Sequence, residues 1–110
     1  MGKWQAALVA LSLSFAMTSA HAQDVVTVSL VAKDGKFEPA TIEVPAGKRI
    51  KIEVSNEGKT PIEFESKDLK QEKVIPPRGK GTLNVSPLKP GEYAYLDDFD
   101  QSSRGKLVAR

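Results

Sequence analysis

Ile50-Lys51-Ile52-Glu53-Val54-Ser55-Asn56-Glu57-Gly58 is the stretch whose reading decides the fold. Apolar and polar side chains alternate with a period of two, so one face of an extended segment is buried and the other is wet. Asn56-Glu57-Gly58 then punctuates it as a turn. Working outward, the same pattern recurs on both sides. Val25 to Val31 is rich in β-branched residues and alternates with Thr27 and Ser29. Asp34-Gly35 marks a turn, Phe37-Glu38-Pro39 leads into Thr41-Ile42-Glu43-Val44, and Pro45-Ala46-Gly47-Lys48 turns the chain again. Beyond the central stretch come Ile62-Glu63-Phe64-Glu65, Thr82-Leu83-Asn84-Val85, Tyr93-Ala94-Tyr95-Leu96 and Lys106 to Ala109. Pro76-Pro77-Arg78-Gly79 and Pro87-Leu88-Lys89-Pro90-Gly91 separate them. Lys67 to Lys73 reads as a short helical stretch, and Asp97 to Ser103 as a polar loop. Seven to eight short strands at this spacing predict a single all-β sandwich.

Ahead of the first strand lies a different kind of sequence. Lys3 precedes an apolar run from Ala6 to Ala16, and Ala20-His21-Ala22 is a small-x-small cleavage pattern. Residues 1–22 are therefore expected to be a secretory signal peptide, and 23–110 the mature domain. The apolar run is too short to span a bilayer comfortably, so no membrane insertion is expected after cleavage. A location in the periplasm, or outside the cell, is therefore expected.

Removing 22 of the 110 residues leaves 88, and it removes both methionines, the histidine and the tryptophan. The chain has no cysteine at all. The mature part thus has no Cys, His, Met or Trp, which limits its chemistry more than any motif does. Cys–His and Ser–His–Asp catalysis lack their base, and zinc sites of His or Cys cannot form. Lys3 also leaves, so 15 basic side chains face 14 acidic ones. A balance this close to zero argues against nucleic acid as a partner. Carboxylates, lysines, arginines, hydroxyls and two tyrosines remain for function.

Lys36-Phe37-Glu38-Pro39, Ile42-Glu43-Val44-Pro45-Ala46-Gly47, Val54-Ser55-Asn56-Glu57-Gly58 and Pro61 resemble the opening of a cupredoxin domain. Pro87-Leu88-Lys89-Pro90-Gly91-Glu92-Tyr93, Tyr95 and Gly105-Lys106-Leu107-Val108 resemble its closing hairpin. Glu63-Phe64-Glu65-Ser66 and Asp97-Asp98-Phe99 are similar to the EfeO-type cupredoxin-like branch. The resemblance implies a Greek-key sandwich or barrel. It also implies a place in Ftr-type ferrous iron uptake, beside a second periplasmic metal-binding protein and an inner-membrane iron permease. Where blue-copper relatives place His, Cys, His and Met, this chain has Ile62, Asp97, Asp100 and a residue near Ser103. A thiolate copper centre is excluded by that set.

The acidic residues offer a different site. Glu63 and Glu65, two apart on one strand, share a face about 7 Å apart. Asp97, Asp98 and Asp100 fall in the loop where the family places its metal, and the family fold is expected to converge the two groups. Asp97 and Asp100 are the first candidate ligands, then Glu63 and Glu65, then Asp98 and Glu72. Hard oxygen ligands suit iron in either oxidation state and also hold Cu(II). The spacing lacks the glycine and terminal glutamate of a calcium loop. The expected function is metal binding, by Cu(II) or by Fe(II)/Fe(III), in the oxidation or delivery of ferrous iron, without enzyme activity of its own being required. Two alternatives stand beside it. The carboxylates are solvated strand residues, with Lys48, Lys51, Lys67 or Lys80 as partners for Glu63 and Glu65. Or the domain is a metal-free interaction module that docks on a periplasmic or membrane partner of a transport system.

Overall fold

The computed structural model describes residues 24–110. The expected signal peptide lies outside the described residues. Nine strands run in the order β1 (Val25–Lys33), β2 (Lys36–Glu38), β3 (Thr41–Val44), β4 (Arg49–Asn56), β5 (Ile62–Ser66), β6 (Gln71–Ile75), β7 (Lys80–Val85), β8 (Gly91–Asp97) and β9 (Asp100–Ala109). They form two sheets, ordered β2-β1-β4-β7 and β3-β9-β8-β5-β6. The β1–β4 and β3–β9 pairs are parallel, and the remaining pairs antiparallel. The all-β sandwich expected from the alternating pattern is the fold observed.

Alternation sets the core. Ile50, Ile52 and Val54 of β4, Leu30 of β1, Leu83 and Val85 of β7, Phe64 of β5 and Leu107 of β9 meet between the sheets. Phe37, Phe64 and Tyr95 form an aromatic trio, with Tyr95 stacked on Phe64 at 5.0 Å and edge-on to Phe37 at 5.3 Å. Tyr93 packs only partly against this core, and Tyr95 is fully within it. Asp34 and Gly35 both take positive φ (51° and 70°), the conformation a two-residue turn between β1 and β2 requires.

Three local expectations are corrected. Residues 67–70 are a turn rather than helix, and 71–75 form an edge strand. The buried Leu69 anchors that turn, its N–H donating to Ser66 Oγ at 3.0 Å. Side chains of β6 then reach the other sheet, where Gln71 Nε2 and Lys73 Nζ donate to the Asn84 and Thr82 carbonyls of β7. A seam between sheets, not a helix face, is what this polar segment builds. The polar loop contracts to a tight Asp98-Phe99 turn, because β9 already starts at Asp100. Its register slips there: Leu96 pairs with Arg104, whereas Asp97 pairs with Asp100. With β2 and β6 added, the count rises from the expected seven or eight strands to nine.

Candidate metal centre

Strand alternation places the acidic candidates on two different surfaces. Asp97 is the last residue of β8 and points inward, only 5% exposed. One of its oxygens, Oδ1, accepts from the Glu63 N–H at 2.9 Å and the Phe99 N–H at 3.0 Å. Asp100 Oδ1 accepts from the Ser102 N–H and hydroxyl at 3.2 and 2.6 Å. Ile62, Asp97, Asp100 and Ser103, the positions that the family resemblance matches to metal ligands, do line one cavity of about 900 Å³ at the end of the sandwich. Their donor set is a hydrocarbon, two carboxylates and a hydroxyl. No soft ligand is present, and Asp97 is committed to backbone N–H groups. That end does not fit a blue-copper ion.

Glu63, Glu65 and Asp98 face the other way, onto the outer surface of the five-stranded sheet. One carboxylate oxygen from each lies within 4.8 Å of the others. The backbone explains the convergence. Glu63 and Glu65 alternate with the buried Ile62, Phe64 and Ser66. The Asp98 N–H donates to the Glu63 carbonyl at 2.8 Å, so β8 stays beside β5 one residue past Asp97, and Asp98 emerges on the same side as Glu63. Glu72 stands opposite Glu65 across the β5–β6 pair. Of the six candidates, the structure gathers Glu63, Glu65, Asp98 and Glu72 on one face and sends Asp97 and Asp100 to the end cavity. The expected single group of four or five carboxylates is thus divided, because adjacent residues on an extended chain project to opposite sides.

The gathered acids perturb one another. The Glu63 carboxyl is raised above its ordinary value, first by a hydrogen bond with Glu72, then by desolvation and by the charges of Glu72, Asp98 and Glu65. Glu65 is raised by desolvation first, then by the charge of and a hydrogen bond with Asp98 and the charge of Glu72, against a lowering influence from Lys67. No ion pair reaches Glu63 or Glu65 among the described residues; Lys51, one expected partner, pairs with Glu53 at 3.5 Å. Beside the cluster runs a groove of about 760 Å³ that includes Ala94, Leu96, Lys67 and Arg104. Sequence reasoning ranked Glu72 last; reading residues 71–75 as a strand would have placed it beside Glu65. Such a set of oxygen donors suits a hard or borderline divalent cation, whose charge offsets the mutual repulsion.

Two sheets in this strand order, with a potential ligand-bearing turn between the last two strands, define a cupredoxin-type sandwich. The match to known proteins makes it specific: the model of the cupredoxin-like domain family covers residues 5–109, and the chain belongs to that family. A curated relative is an uncharacterized protein of Rickettsia prowazekii (strain Madrid E), 38% identical over 80 residues, which are 73% of this chain and 64% of that protein. The chain therefore spans less than two thirds of that relative. Among solved structures, auracyanin A, a blue copper protein from Chloroflexus aurantiacus, superposes with a TM-score of 0.67 at 13% identity, over 79% of this chain and 100% of that one. The metal-binding domain of the Cu(I)-exporting P-type ATPase CopA from Streptococcus pneumoniae D39 gives 0.70 at 12% identity, over 80% and 97% of the two chains. At those identities the likeness is one of fold.

Proposed function

We propose that this is a periplasmic metal-binding protein that holds Cu(II) or iron through outer-face carboxylates and assists the oxidation or delivery of ferrous iron to an inner-membrane permease. The observation that carries it is the approach of the Glu63, Glu65 and Asp98 carboxylates to within 4.8 Å of one another, with no cation side chain paired to Glu63 or Glu65 among the described residues. Glu72 completes the set, and Asp97 and Asp100 are no longer ligands in this reading. Anionic oxygen donors stabilise Fe(III) over Fe(II), so such a site lowers the cost of oxidising bound Fe(II) by a one-electron acceptor such as Cu(II). The signal-like leader and the resemblance to the EfeO-type branch support the compartment and the iron system. The copper-binding fold neighbours support metal handling.

Calorimetric titration of the chelator-treated protein with Cu(II), Fe(II) and Mn(II) tests it. Binding of Cu(II) or Fe(II) is expected, weakened at least tenfold in Glu63→Gln/Glu65→Gln and unchanged in Asp100→Asn. Absence of heat with all three metals would end the metal reading.

A further inference from the structure

The two flanks of the sandwich differ. One is latched, because Gln71 and Lys73 of β6 donate to carbonyls of β7. On the other flank, β2 covers only Val31, Ala32 and Lys33 of β1. Along Val25 to Leu30 no strand lies on the side away from β4, among the described residues. The backbone there has a definite direction. The Glu57 N–H, just past β4, donates to the Ala32 carbonyl at 2.9 Å. Ala32 therefore turns its backbone groups towards β4, as do Leu30, Val28 and Val26 by alternation. Val25, Thr27 and Ser29 turn theirs to the open side, a row of N–H and C=O groups with no strand opposite.

Natural sheet edges are ordinarily blunted by charge, proline or shortness. The neighbouring edges follow that rule. β2 is three residues long, with Lys36 and Glu38 at its ends and Pro39 after it. β3 has four residues, and its exposed Glu43 pairs with Arg110. Val25-Val26-Thr27-Val28-Ser29-Leu30 carries no charge, proline or glycine and is mostly β-branched. Val25 is 53% exposed, and Val26 and Val28 are half-buried, so apolar surface runs along the same open edge.

We propose that this edge pairs antiparallel with the same edge of a second copy of the chain, joining two four-stranded sheets into one across a two-fold axis. Residues opposite each other in such a pair share one side of the sheet, so odd positions meet odd and even meet even. Centred on Thr27, the pairing uses the whole free edge: Thr27 meets its own equivalent, Val26 meets Val28, and Val25 meets Ser29. Moving the centre to Val28 would drive Val25 onto Val31, a position that β2 already occupies. In the Thr27 register every outward N–H meets an outward carbonyl, valine meets valine on the inner side, and no charge faces a charge. The flanking charges agree. β4 sets Arg49 beside Val25 and Glu53 beside Ser29, so each Arg49 row continues into a Glu53 row across the axis. Lys51, beside Thr27, is already paired with Glu53 at 3.5 Å. An unrelated strand would have to reproduce this match, whereas a second copy brings it by symmetry. The inference is independent of the metal reading, because Glu63, Glu65, Asp98 and Glu72 belong to the face of the other sheet.

Sedimentation equilibrium of the purified protein tests it. Dimerisation is expected between about 0.01 and 1 mM, the range of a small edge-to-edge contact. Thr27 is exposed, so its replacement spares the core. Thr27→Lys and Thr27→Glu each set like charges opposite one another at the axis and should weaken the dimer at least about tenfold. An equal mixture of the two variants should restore association, because lysine then faces glutamate. A protein that stays monomeric at about 1 mM would overturn the proposal. So would a dimer that Thr27→Lys leaves intact, or a mixture that associates no more tightly than its components.

Discussion

Replacing Asp97 separates a ligand from a structural clasp. Its Oδ1 is the shared acceptor for the Glu63 and Phe99 N–H groups, in a side chain only 5% exposed. Asp97→Ala leaves both donors without their partner, at about 1–3 kcal/mol for a fully buried group. Both sites are part-buried, so water recovers some of this, and a total of about 2–4 kcal/mol is expected. For a domain of this size about 1 kcal/mol corresponds to a 4–8 °C shift in Tm, so the alanine variant should melt at least about 8 °C lower. Asp97→Asn keeps a carbonyl acceptor in place and loses only the assistance of charge, about 1–2 kcal/mol over two bonds. Thermal unfolding followed by circular dichroism gives these shifts, and calorimetry on the same samples gives the Cu(II) affinity. The asparagine variant should keep its copper affinity within about twofold, because its carbonyl still accepts from the Glu63 and Phe99 N–H groups and so keeps the backbone that presents Glu63 and Asp98. An unchanged Tm together with a tenfold loss of copper binding in Asp97→Asn would refute this reasoning and make Asp97 a ligand after all.

Other residues of the core and of the acidic face give further expected outcomes. The Tyr95 hydroxyl is buried without a hydrogen-bond partner, and burial pushes its ionisation up to about 12. Tyr95→Phe should therefore be neutral or stabilise by about 1 kcal/mol in denaturant unfolding, since an unpaired buried hydroxyl is a cost. Gly105→Ala should destabilise by about 1–3 kcal/mol, because the new Cβ would fall 2.5 Å from the Tyr95 ring, which is held between Phe37 and Phe64. The raised carboxyls of Glu63 and Glu65 favour the apo fold most below the unfolded-state value of 4.5, and that contribution is lost as pH rises through their higher folded values. Metal binding has the opposite dependence: protons compete with the metal, so Cu(II) affinity should begin to fall above pH 4.5 as the solution is acidified, and calorimetry at a series of pH values measures it. A copper affinity flat across that range would show that these carboxylates are not the ligands.

The alternation of Ile50, Ile52 and Val54, and its repeats along the chain, determined an all-β sandwich, because a period of two allows only one face of each strand to be buried. The same local rule determined that Glu63 and Glu65 share a face, and composition alone removed thiolate, imidazole and thioether from the chemistry of residues 23–110. What the sequence left open was which acids meet them. Asp97, Asp98 and Asp100 look equivalent in a polar stretch, yet their environments differ: Asp97 is drawn inside by the Glu63 and Phe99 N–H groups, and Asp98 is carried outward to Glu63 and Glu65. That choice depends on the Asp98-Phe99 turn and the register slip after Leu96, long-range pairings that no local pattern encodes. Residues 71–75 were obscured for a related reason. Their polar side chains look solvated in sequence, and only the approach of β7 gives Gln71 and Lys73 carbonyls to hold. Local periodicity fixes which way a side chain faces, whereas the partners it meets there are decided by contacts between strands distant in the chain.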